Sequence, residues 1–223
     1  MKLIHILIIL MIGFATNVSF AKTYDRNGGR DIKLPSQFVI EKVTVADPAA
    51  AATANILNDE NGDISGVAVT QTTFLVAQDV ARNIQVTPVS TTADVKAGNV
   101  VITGTNVFGE TITESLAFLD NASTATVGAK AFKTVTSILF PVEDSPYTAQ
   151  WDVGFADVFG LNHCMGGAGD VIMATADGTY EGTRPTCVAD ADEVEKNTCD
   201  PNTAADASKD FVFYYIQNYA CNP

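Results

Sequence analysis

Apolar and polar residues alternate with a period of two along most of this chain, in short runs separated by turn residues. Residues 37–45 carry Phe38, Ile40, Val43 and Val45 in a strand-like run. From residue 66, Val67, Val69, Gln71 and Thr73 alternate with Ala68, Thr70 and Thr72, and 84–89 is another short run. Residues 99–105 and 111–118 predict two strands, joined by Asn106, Val107, Phe108 and Gly109 in a tight turn. On the second, Ile112, Leu116 and Phe118 share one face, while Thr111, Thr113 and Ser115 share the other. Residues 131–140 form a further run ending at Pro141.

In the last third, Trp151, Val153 and Phe155 alternate with Asp152 and Gly154, marking one buried face. Residues 171–176 lead into the hairpin signal Asp177-Gly178. The final run, 210–219, is apolar on both faces. Phe211, Phe213, Tyr215 and Tyr219 point one way, and Val212, Tyr214 and Ile216 the other. One layer of a sandwich buries a single strand face, so the aromatics Phe211, Phe213, Tyr214, Tyr215 and Tyr219 are the candidate assembly surface. The alternative is a central strand with both faces internal.

One helix is predicted. Asp47-Pro48 has the chemistry of a helix start, four alanines follow, and Asn61-Gly62 would stop it. Many short strands with at most one short helix imply an all-β fold, a β-sandwich or jelly roll, over 37–223. That span has room for two β subdomains dividing near 142–150. Residues 22–36 are polar and glycine-containing and read as a flexible arm.

The N-terminus changes the picture of location. Lys2 precedes an apolar run over 3–15, and Ser19-Phe20-Ala21 offers a small-x-small cleavage pattern. The run is short of the roughly 20 residues of a membrane span, so stable membrane association is not expected. It reads as a signal peptide over 1–21 or as an apolar N-terminal arm. With a formal charge of −13, the chain repels nucleic acid and anionic membranes, and no direct nucleic-acid binding is expected.

All four cysteines, Cys164, Cys187, Cys199 and Cys221, lie after residue 163. An even count behind an export signal favours two disulfides. Cys187 and Cys199 flank an acidic segment with room to turn back, which leaves Cys164 for Cys221. Four reduced, buried thiols are the alternative.

No constellation predicts catalysis, a metal or a cofactor. Asp59, Asn61 and Asp63 match the opening of a calcium loop, but Ile64 stands where glycine is needed and Thr70 where the bidentate acid belongs. The glycine-rich segment 166–169 has no Lys-Ser/Thr after it. His163 lacks a spaced partner, and a strand would turn its neighbour Cys164 the other way. The acids Asp190, Asp192, Glu193 and Glu195 read as a solvated loop rather than as paired catalytic carboxylates.

Three segments together resemble a family of tailed-phage and prophage virion structural proteins, described as head-decoration or head-fibre-like. They are TTADVKAGNVVITGTNVFGETITESLAF (residues 91–118), GAKAFKTVTSILFP (128–141) and WDVGFADVFGL (151–161). The resemblance runs from about residue 39 to the C-terminus. It implies a β-rich, non-enzymatic subunit repeated in a particle. The implied partners are a major capsid protein or other virion subunits, with the chain itself a homo-oligomer. Such particles assemble in the cytoplasm, where an exported subunit would be lost. The two readings are therefore a decoration or fibre-like protein located in the virion, and an exported adhesive or carbohydrate-binding β-sandwich. The second would be secreted or periplasmic after cleavage at Ala21.

Overall fold

In a computed structural model of the chain, the described residues are 39–62, 67–89, 95–142 and 149–218. The segments 1–21 and 22–36 lie outside them. All described residues belong to one unit, Phe38–Pro223.

Strands form where the sequence alternates. β1 (Ile40–Val45), β2 (Leu57–Asn61), β3 (Thr70–Gln71) and β4 (Arg82–Pro88) precede the long pair β5 (Gly98–Thr105) and β6 (Thr111–Phe118). β7 (Thr126–Phe132), β8 (Thr134–Leu139) and β9 (Gln150–Gly160) follow. β10 (Val171–Ala176), β11 (Thr179–Tyr180), β12 (Thr186–Val188), β13 (Thr198–Asp200) and β14 (Phe211–Ile216) complete the order. Among the described residues the only helical turns are short 3-10 segments, such as Ala168–Asp170 and Val194–Lys196. The protein is all-β and sandwich-like.

The turns explain the hairpins. Asn106 accepts the N–H groups of Phe108 and Glu110 on its side-chain oxygen, both at 3.0 Å, and Gly109 takes φ +83°. This closes the β5–β6 hairpin, whose register runs unbroken from Gly98↔Phe118 to Thr105↔Thr111. Asp177 (φ 49°) and Gly178 (φ 71°) both adopt positive φ, as a two-residue I′ turn requires, and pair Ala176 with Thr179.

Among the described residues three antiparallel sheets result. Their strand orders are β1-β14-β10-β11, β12-β13-β9-β4-β7 with β2 also on β9, and β3-β8-β5-β6. β9 is the spine. Its first half lies in one core, where Trp151, Val153 and Phe155 meet Val100 and Ile102 of β5 and Leu116 and Phe118 of β6. The Trp151 ring meets Phe118 edge-on at 4.9 Å and stacks on Phe140 at 5.8 Å. Its second half lies in another core, where Phe159 packs with Val43, Phe211 and Phe213. Between Phe155 and Phe159 the β9–β4 register slips, because these five residues of β9 span only three of β4, Arg82 to Ile84. Such a bulge re-aims the strand and lets it serve both cores. The division contemplated near 142–150 does not match these cores. N-terminal β1 joins the C-terminal core, and β9 belongs to both.

The expected helix after Pro48 is absent. Residues 49–56 cross β9 in an irregular path with bends at 53–56 instead. Ala52 and Ile56 donate their N–H groups to the carbonyls of Phe155 and Val153, at 3.1 and 2.9 Å. The approach needs Gly154, where a Cβ would stand 1.8 Å from the Ala52 carbonyl oxygen. Backbone bonding to β9 outcompetes the weak helical preference of a short alanine run. The run expected over 131–140 is likewise two strands, broken at Lys133, whose N–H donates to the Thr105 carbonyl at 2.7 Å.

Candidate assembly interface

β14 is central in its sheet, flanked by β1 and β10. Its sequence FVFYYI alternates buried and half-buried positions. Phe211, Phe213 and Tyr215 are at most 1% exposed. The Phe159 ring lies 5.5 Å from Phe211 and 6.5 Å from Phe213. The Tyr215 hydroxyl accepts the His163 backbone N–H at 3.1 Å. Burial pushes its phenol well above the ordinary range, so it stays neutral.

This corrects the candidate surface. Phe211, Phe213 and Tyr215 form core rather than an accessible face, because β9 and its neighbours cover that side of the sheet. Tyr219 lies outside the described residues. Of the four described aromatics, Tyr214 alone lies on the outward side.

The outward side can be read row by row from the register. Lys42, Tyr214 and Met173 stand side by side across β1, β14 and β10. Thr44, Val212, Thr175 and Tyr180 form the next row, reaching β11, and Ile40 pairs with Ile216 in a third. Cross-strand partners share a face, so these nine residues lie on one side of the sheet, with Thr175 buried among them. Ile40 is 61% exposed and Tyr180 is 52% exposed. Val212, Tyr214, Ile216 and Met173 are half-buried. These nine residues include one lysine, and the strand ends beyond Val212 and Thr175 carry the exposed carboxylates Asp210 and Asp177.

The other residues singled out in the sequence have structural partners. The acid run is a braced cap. Asp190 accepts the N–H groups of Asp192 and Glu193, both at 2.9 Å, and these bonds hold its carboxyl below the ordinary range. Lys130 bridges Glu193 and Glu195 at 3.0 and 3.1 Å, and Lys196 pairs with Glu193. Burial pulls the Lys130 ammonium down, but its bonds to Glu193 and Glu195 hold it above its ordinary value. Beneath the cap, the fully buried Asn197 amide accepts from Met165 and Asp190 and donates to the carbonyls of Asp190 and Glu193.

The glycine-rich loop is closed on itself, with the Gly167 N–H donating to Asp170 at 2.9 Å. His163 packs its ring 6.3 Å from Phe108. Asn61 is a β2 residue paired with Gln150, the Asp59 N–H donates to Asp152 at 2.9 Å, and Asp63 lies outside the described residues. Cys187 and Cys199 are disulfide-bonded cross-strand partners with Cα atoms 4.1 Å apart. The pair expected between Cys164 and Cys221 falls on Cys221, outside the described residues. None of the described cysteines is a free thiol.

Two polar features carried no sequence signal. Arg82 is fully buried between the rings of Phe155 and Phe159, 5.1 and 5.0 Å from their centroids. Glu114 of β6 reaches the edge strand β7 and accepts the N–H groups of Ala129 and Lys130 at 2.6 and 3.2 Å. Burial raises its carboxyl above the ordinary range despite these bonds. Both are charges on otherwise ordinary strands, and only tertiary contacts give them partners.

Among the described residues no group of three or more His, Cys, Asp or Glu is arranged to hold a metal, and no helix is long and apolar enough to cross a membrane. A cavity of about 220 Å³ between Ile56, Phe74, Val76, Gln78 and Val135 is lined by apolar and uncharged side chains. The outward face of β1-β14-β10-β11 is the candidate interface. Comparison with protein-family models, curated proteins and solved structures finds no match to this chain.

Proposed function

We propose that this chain is a non-enzymatic virion structural protein, a capsid-associated decoration or fibre-like subunit. It acts by burying surface against other subunits of the particle. The observation that carries the reading is the outward side of β1-β14-β10-β11, where Tyr214, Val212, Ile216, Met173 and the exposed Ile40 lie together. Aromatic residues anchor protein contacts, and removing apolar area from water stabilises the assembled state. Binding the assembled shell but not its free subunits shifts the equilibrium towards the shell. The likeness of residues 91–118, 128–141 and 151–161 to head-decoration proteins points the same way. The test is whether the protein copurifies with intact particles at a fixed copy number, and whether Tyr214→Ala folds yet is lost from them. A folded Tyr214→Ala protein retained at full copy number rejects the role of this face. Absence of the wild-type chain from purified particles rejects the virion reading.

One observation favours a second reading. The Cys187–Cys199 disulfide suits an oxidising compartment, where an exported adhesive or carbohydrate-binding β-sandwich would reside. Mass spectrometry of the native N-terminus separates the two. A chain starting at Lys22 supports export, and one that keeps residues 1–21 supports the virion.

A further inference from the structure

We draw no further inference here: the strongest candidate, the carboxylate cluster of Asp157 on β9, Glu181 just after β11 and Asp200 at the end of β13, in which Asp157 Oδ1 and Glu181 Oε2 lack a hydrogen-bond partner among the described residues, carries nothing because the three groups are not arranged to hold a metal and none of the three is a buried residue.

Discussion

Arg82 and Ala49 join two segments that share no strand: both terminal guanidinium nitrogens of Arg82 donate to the Ala49 carbonyl at 2.9 Å. The guanidinium is sealed between Phe155 and Phe159, where one core gives way to the other along β9. Asp79 lies 3.8 Å away. Burial lowers the Arg82 pKa, and Asp79 and Asp157 oppose that pull. A planar cation suits this slot because it stacks on two rings while donating in its own plane.

Arg82→Ala should therefore destabilise the fold by about 3–5 kcal/mol, since it empties a buried volume and strips the Ala49 carbonyl of its donors. Arg82→Met keeps most of the volume and should cost less, about 1–3 kcal/mol for the unsatisfied carbonyl. Urea unfolding measures both. Equal losses for the two would show that packing around the rings contributes nothing.

Glu114 gives a pH dependence of defined sign. Its carboxyl is raised in the folded state, first by burial, so the folded chain holds that proton more tightly than the unfolded chain. Charged Glu114 thus lowers stability at neutral pH, and the loss disappears as pH falls through the folded pKa towards the unfolded value. Glu114→Gln should equal or exceed the wild type at pH 7, with the difference closing in acid. Glu114→Ala should cost about 1–3 kcal/mol at either pH, because the edge N–H groups of Ala129 and Lys130 lose their acceptor. Thermal melts of the three proteins at pH 7 and pH 4 decide it. A glutamine advantage that grows on acidification would contradict the assignment.

The Cys187–Cys199 bond closes a short loop, 12 residues apart in sequence, across the β12–β13 pair. Closing a loop of this size restricts the unfolded chain by about 3 kcal/mol in the entropy model. The double variant Cys187→Ala, Cys199→Ala should fold, with a clear drop in its urea midpoint. Peptide mapping without reductant should recover the 187–199 link. A 164–187 link in its place would reject the register that aligns Cys187 with Cys199.

Much of the fold was legible in the sequence because alternation reports a half-buried strand directly. The face of Ile112, Leu116 and Phe118, the Asn106–Gly109 turn and the Asp177-Gly178 hairpin are local consequences of side-chain period and backbone conformation. So is the two-sided character of β14. Short strands such as β2, β12 and β13 were not legible, since two to five residues carry too little period to stand out, and their partners supply the order.

What the sequence determined by itself was therefore the all-β class, the main hairpins, and the pairing of Phe211, Phe213 and Tyr215 against Val212, Tyr214 and Ile216. It did not determine which of those two sets is buried, because both are apolar and alternation is blind to direction. Tertiary structure decided that. β9, bent by its bulge, covers the phenylalanine side and leaves Tyr214 facing out beside Lys42 and Met173. It also turned the alanine run after Pro48 into an irregular crossing over β9, since Arg82, Asp79 and β9 offer its backbone partners that an isolated short helix cannot match.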